Sequence, residues 1–264
     1  MENLLEKIRT FNRLLQEETG HPVAYGEMAK VLGDMVRSNI YIVSEKGRIL
    51  GRSFTDGFVC EPFVHLVSGE SVISEADNEV LLTVSQTQAN VNGQDGKCLL
   101  GGFCERCGFA RTATCVVPII VSGRRQGTMA LTRDDRAGFD TAETILAEHC
   151  AMLIGMTILR ERSVRIEEEA RRKAAVQVAI GTLSYSEREA IECIFAELNG
   201  NEALLVASKI ADREGITRSV IVNALRKLES AGVISTKSLG MKGTFIRILN
   251  DSLPEELDKS RRER

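Results

Sequence analysis

Residues 96–108 read GKCLLGGFCERCG, placing Cys98, Cys104 and Cys107 within ten positions, with Cys60 upstream. Four thiolates brought together could hold zinc or an iron–sulfur cluster, close a reversible disulfide, or stay inert and reduced. The Cys104-x-x-Cys107 spacing suits chelation, but one such pair is a weak signal by itself. The chain has seven cysteines, an odd number, which argues against a disulfide framework. Its three histidines, at 21, 65 and 149, are scattered, so no Cys–His nucleophile pair is suggested and an enzyme is not expected. His65, five residues after Cys60, is a further candidate ligand, although a surface histidine is the simpler reading.

The second chemistry-bearing stretch is basic. Residues 203–249 hold eight Lys/Arg against three acids, a local balance of +5 within a chain of net charge −3. A basic module on an acidic body points to a polyanion as partner. Within it, Val206, Ile210 and Ala211 fit a short helix, Gly215 a left-handed turn, and Val220, Ile221, Ala224, Leu225 and Leu228 the buried face of a second helix. Ala211 is small enough for the helices to cross closely, and the Thr217 hydroxyl can cap the second one. This is a helix-turn-helix pattern. It turns Arg218, Ser219, Val222, Asn223 and Arg226 outward, among them the types that reach phosphates and base edges in the major groove. VISTKSLGMKGTFIRIL then reads as two strands around a Gly-Met-Lys-Gly tip, a wing that presents Lys242 to a phosphate. A winged helix used only for protein contacts is the weaker alternative.

Other elements must carry these groups. Leu4, Leu5, Ile8, Phe11, Leu14 and Leu15 recur as on a helix with one buried face. NIYIVSEKGRILGRSF reads as a hairpin with Ile40–Val43, a turn at Lys46-Gly47, and Ile49-Leu50. TATCVVPIIVSGRRQGTMALTR repeats the design, with Gly123 turning between Cys115–Val121 and Thr128–Thr132. Helix, hairpin, variable middle, hairpin and helix is the order of an α/β sensor domain. Asp140 with Glu143 opens a long helix reaching about Thr182; its apolar half, ILAEHCAMLIGMTIL, calls for burial against the sensor or a second subunit. Ser186-Glu-Arg-Glu189 reads as a further capping box, opening SEREAIECIFAEL. No uninterrupted apolar run approaches ~18 residues and the N-terminus lacks a signal-peptide order, so a cytoplasmic chain with no membrane partner is expected.

NEALLVASKIADREGITRSVIVNALRKLESAGVISTKSLGMKGTFI closely resembles the DNA-binding end of the CodY family, transcriptional repressors of low-GC Gram-positive bacteria. The likeness extends to EEEARRKAAVQVAIGTLSYSEREAIECIF and, more loosely, to NIYIVSEKGRILG, CVVPII and LAEHCAMLIGMTILRER. It implies an α+β/α chain: a GAF-type sensor domain (1–140), a long linker and dimerisation helix (141–182), and a winged helix-turn-helix (183–264). It further implies a homodimer or tetramer that binds an AT-rich palindromic operator in double-stranded DNA. Branched-chain amino acids and GTP are the implied effectors, and nutrient-responsive repression is the implied output.

Carried over by position, Ser208, Thr217, Arg218, Ser219, Asn223, Arg226, Lys227 and Lys242 are the expected DNA-binding residues. Ser44, Lys46, Arg48 and Arg162 are the expected nucleotide-binding set, with Thr157 standing where the family has an acidic residue expected to read guanine. The family's ligand-gripping arginine should fall near Glu61-Pro62, yet no arginine occurs between Arg52 and Arg106. Cys60 and the Cys98, Cys104, Cys107 group fall on the two segments that line the amino-acid pocket in relatives. A metal or redox sensor on the same scaffold is therefore the alternative expectation.

Overall fold

The computed structural model describes residues 2–17, 25–54, 72–91, 97–98, 102–103, 113–133, 138–196, 200–240 and 243–262. The chain divides into two units, Met1–Arg162 and Ser163–Arg264.

In the first unit, α1 (Glu2–Glu17) and α2 (Tyr25–Val36) precede β1 (Asn39–Ser44) and β2 (Ile49–Ser53). A short helix, α3 (Glu75–Thr83), follows, then a two-residue pair, β3 (Lys97–Cys98) with β4 (Gly102–Phe103). The long strands β5 (Ala113–Val121) and β6 (Arg124–Arg133) complete a four-stranded antiparallel sheet of order β2-β1-β6-β5. Both expected hairpins are present, with Gly47 at φ +76° and Gly123 at φ +73° in their turns. β6 starts at Arg124 rather than at Thr128, because Arg124 and Arg125 pair with Val121 and Ile120 beyond a bulge. The helix α2 was not legible as an element; it puts Met28, Ala29 and Leu32 into the core.

Period-two alternation decides which residues meet which layer. Ile40, Ile42, Val117, Ile119, Met129 and Leu131 join α1 and α2 in one buried cluster. Tyr41, Val43, Val116 and Ala130 point to the other face and are buried too, so the sheet is covered on both sides. Two glycines permit the closest approaches. A Cβ on Gly127 would lie 2.1 Å from the Val43 carbonyl oxygen of the neighbouring strand, and one on Gly51 would lie 2.4 Å from the backbone of Tyr25 at the start of α2.

The helix α4 (Thr141–Gly181) runs 41 residues without interruption. Its start is the expected capping box: Glu143 N–H donates to Asp140 Oδ1 at 2.7 Å, and Asp140 N–H donates to Glu143 Oε2 at 3.0 Å. Arg133 adds a bidentate pair to Glu143 at 2.8 and 2.9 Å, donates to the carbonyls of Val36 and Gly138, and lies over the Phe139 ring. Leu146, Ala147, Cys150, Ala151 and Ile154 fill the sensor core. The apolar half is not buried all round, however: Ile145, Met152 and Met156 are 46%, 49% and 54% exposed. Averaged over 18 residues, this helix is apolar enough by composition to cross a membrane, although a core helix of a soluble protein meets the same test.

The second unit begins on the same helix, whose Val176, Ala179 and Ile180 enter a separate core. The remaining helices are α5 (Tyr185–Ala196), α6 (Ala207–Glu214), α7 (Arg218–Ser230) and α8 (Leu253–Arg262). A three-stranded sheet of order β7-β9-β8 is built from β7 (Glu202–Leu205), β8 (Ile234–Ser238) and β9 (Thr244–Ile248). The capping box of α5 lies two residues earlier than its sequence suggests. Ser184 N–H donates to Glu187 Oε2 at 2.7 Å and Glu187 N–H donates to Ser184 Oγ at 3.3 Å, so Ser184 with Glu187, not Ser186 with Glu189, opens the helix. Both pairs satisfy the same Ser-x-x-Glu rule, and the buried face of α5 decides between them.

Replacing Gly127 by alanine should destabilise the first unit by on the order of 3 kcal/mol, since a methyl group must displace a strand carbonyl. Gly26→Ala, where an added Cβ meets nothing within 4 Å, should leave stability unchanged or slightly improved. Urea denaturation of the two variants side by side checks the contrast.

Candidate DNA interface and effector site

The turn between α6 and α7 is built as its residues require. Gly215 takes the left-handed conformation at φ +67°, and its N–H returns to the Ala211 carbonyl. Thr217 holds the N-cap position of α7, but its hydroxyl makes no bond to the helix backbone; it sits 3.1 Å from Ser219 Oγ. The first turn of α7 thus keeps free N–H groups at its end.

On α7, Ile221, Ala224, Leu225 and Leu228 are buried, and Arg218, Ser219, Val222, Asn223 and Arg226 are exposed. The outward set expected from the sequence therefore shares one face. Lys227 is turned elsewhere. Its Nζ donates to Glu187 Oε2 at 2.6 Å and to the Thr182 carbonyl at 3.0 Å, tying α7 to the start of α5. That hydrogen bond, with one from Ser184 N–H, holds the Glu187 carboxyl below its ordinary value of 4.5. Glu187 is the residue that sequence reasoning overlooked; the Ser184-x-x-Glu187 box was the available signal.

The wing is framed by backbone. Leu239 N–H donates to the Gly243 carbonyl at 2.8 Å, and Gly240 and Gly243 take φ +63° and +115°. A Cβ on Gly243 would lie 2.4 Å from the Leu205 carbonyl, so the wing closes tightly on β7. At its base, Thr236 donates through both N–H and hydroxyl to Glu229 Oε1, each at 2.8 Å. Lys242 and the Ser208 side chain lie outside the described residues.

In the first unit, Ser44, Lys46 and Arg48 gather on the β1–β2 hairpin, where Ser44 Oγ accepts from Arg48 N–H at 3.0 Å. The hairpin tip is fixed to the α3 region: Ile73 N–H donates to the Gly47 carbonyl and Asn78 Nδ2 to the Glu45 carbonyl. Lys46 and Arg48 are exposed, as is Arg162 on α4. Glu161, next to Arg162, accepts from the Tyr25 hydroxyl at 2.8 Å, and Tyr25 packs on Gly51 of the same hairpin. The Thr157 hydroxyl is occupied by the Leu153 carbonyl at 3.0 Å.

Cys60, Cys104 and Cys107, the Cys98 side chain, His21, His65 and the Glu61-Pro62 position lie outside the described residues. Among the described residues, no group of three His, Cys, Asp or Glu side chains is arranged to hold a metal ion. Cys115 and Cys150 are core thiols. Burial, with Glu148 and Glu143 nearby, pushes Cys115 up to about 12, and burial raises Cys150 as well. His149 hydrogen-bonds Asn12 at 3.0 Å, a structural role.

A two-face-covered sheet and a winged helix-turn-helix that share one long helix make the build of a sensor-type transcriptional regulator. Comparison with known families matches residues 3–182 to the CodY GAF-like domain and residues 201–261 to the CodY helix-turn-helix domain. The global transcriptional regulators CodY of Clostridium botulinum (strain Okra / Type B1) and Clostridium perfringens (strain SM101 / Type A) are 51% and 49% identical over 259 residues. Each alignment covers 98% of this chain and 99% of the relative. Among solved structures, the cofactor-binding GAF domain of the nutrient sensor CodY from Clostridium difficile is 33% identical, with a TM-score of 0.42 over 58% of this chain and 96% of that one. The chain belongs to the CodY family of global transcriptional regulators. Neither these relatives nor the described residues support the metal or redox alternative.

Lys227→Ala should cost about 1–2 kcal/mol near pH 7, because it leaves a mostly buried carboxylate with fewer partners. The carboxyl of Glu187 is lowered in the folded state, so its contribution is complete above its ordinary value of 4.5 and fades as pH falls through the lowered folded value. Chemical denaturation from pH 7 to pH 3 should therefore show a smaller acid-side loss for the variant than for the parent chain.

Proposed function

We propose that this protein is a cytoplasmic homodimeric repressor that binds an AT-rich palindromic operator through α7 and the wing, and that a sensor-domain effector sets its DNA affinity. The observation that carries this reading is the row of exposed Arg218, Ser219, Asn223 and Arg226 on one face of a helix whose other face is core. Arginines suit guanine edges or phosphates, and asparagine suits adenine. Lys242 and Ser208 serve the backbone, Thr217 lies at the helix start where phosphates are received, and Lys227 acts by holding α7 in place. Residues 1–140 act as sensor, 141–182 as linker, and 183–264 as DNA reader. Regulation rather than catalysis is its work.

Two features support effector binding and dimerisation. The Ser44, Lys46 and Arg48 hairpin offers donors and positive charge to the phosphates of GTP, with Arg162 as a further cation. Thr157 in place of an acid predicts weak base selectivity. A branched-chain amino acid is the second effector, and its carboxylate must be gripped without an arginine near Glu61-Pro62. The exposed Ile145, Met152 and Met156 face of α4, beside a groove of about 410 Å³ lined by Ile120 and Pro118, supports a subunit contact. A homodimer suits a palindrome because its symmetry matches that of the two half-sites. An effector shifts the DNA-competent population only by its differential affinity for that state, so a tenfold change in DNA binding needs about 1.4 kcal/mol of preference.

In fluorescence anisotropy with an AT-rich palindromic duplex, Arg218→Ala and Asn223→Ala should each weaken binding by about tenfold or more. Binding should fall steeply with salt. Isoleucine and GTP should each raise the affinity. Equal binding to a GC-rich scrambled duplex, or no response to either effector, would reject the corresponding half of the proposal.

A further inference from the structure

Val222 is the exception on α7. The apolar side chains around it on the helix are buried or packed against the core, yet Val222 is 38% exposed. It stands three residues after Ser219, next to Asn223, and four before Arg226, all exposed. Its two methyl groups therefore lie in the middle of the polar row that faces outward. Val222 belongs to neither the buried cluster nor the apolar residues packed against it, and a β-branched residue lowers helix propensity slightly. Its neighbours give the position its meaning: it is surrounded by side chains suited to phosphate and base edges.

We infer that Val222 reads the 5-methyl group of a thymine in the major groove, and so helps to confine each half-site to A·T pairs. The inference rests on the DNA-binding reading of α7 given above. The chemistry is specific. In the major groove, thymine alone among the four bases presents a methyl group, and apolar side chains are the groups that contact it. Asn223, the adjacent residue, is the type that pairs bidentately with adenine N6 and N7. Neighbouring positions on one helix thus select the two bases of A·T pairs by different means, one by hydrogen bonds and one by methyl contact. A valine at this point also disfavours cytosine, whose amino group would lose its hydrogen-bonding water against an apolar surface.

The test removes the methyl group from the DNA and its partner from the protein. Duplexes bound by the full-length chain are selected from a random pool, and the protected site is mapped. Each thymine in it is then replaced singly by deoxyuridine, which keeps the base pair and deletes only the 5-methyl group. With the parent chain, one thymine in each half-site should show about a fourfold loss of affinity, the worth of one buried methyl-sized group. With Val222→Ala, the same replacement should change affinity by less than half as much, while losses at other thymines persist. Circular dichroism and thermal unfolding of Val222→Ala should match the parent, because the side chain leaves no core cavity. If the variant retains the full deoxyuridine penalty at every thymine, Val222 touches no methyl group and the inference is overturned. If the parent chain selects no duplex at any salt concentration, the DNA-binding reading itself fails, an outcome distinct from the first.

Discussion

Leu146, Ala147, Cys150, Ala151 and Ile154 fill one hydrophobic core, and Val176, Ala179 and Ile180 fill another, although all eight belong to a single helix. That shared helix is the constraint on which the rest depends. Its continuity requires a firm start, which Asp140 provides by accepting from the Glu143 N–H, and Arg133 by pinning the Glu143 carboxylate to the end of β6. It also requires a polar middle. Residues 162–172 are exposed and densely charged, so neither core extends into that stretch.

The sheet and the reader module use the same economy of backbone contact. Gly127 lets β1 and β6 approach at a point where a methyl group would strike a carbonyl, and Gly243 does the same between the wing and β7. Side chains then fix orientation. Arg125 donates to the carbonyls of Leu81 and Val84 and so ties α3 to β6. Gln177 and Lys259 both bond the buried Glu256, which seats α8 on the end of α4 and holds that carboxyl below its ordinary range. On α7 the structural bonds are made by Lys227 to Glu187 and by Glu229 to Thr236, away from the exposed row of Arg218, Val222, Asn223 and Arg226.

Much of this is legible in the sequence. The two hairpins, the long capped helix, Gly215 in its left-handed turn and the outward row of α7 follow from alternation, helical periodicity and the special φ of glycine. The helices α2 and α8 and the strand β7 are hard to read from sequence: in YGEMAKVLGDMV and LPEELDKSRR the buried positions include Ala29, Gly33 and Glu256, which carry little or no hydrophobic signal, and NEALLV is too short to distinguish strand from helix. Their state is set by what they pack against. The cap of α5 shows the same limit, since Ser184-x-x-Glu187 and Ser186-x-x-Glu189 obey one local rule.

The sequence by itself determined the class of the protein: the basic module, the helix-turn-helix spacing and a near-continuous match to the CodY family are one-dimensional properties, written in residue types and intervals. Tertiary structure decided which polar groups are spoken for. Lys227 and Arg226 are adjacent residues on one helix and carry the same charge, so charge alone does not separate their roles. A turn of about 100° per residue carries one to the buried carboxylate of Glu187 and leaves the other exposed. The same rotation leaves Val222 exposed and Ile221 buried, because solvent exposure depends on what a neighbouring element covers.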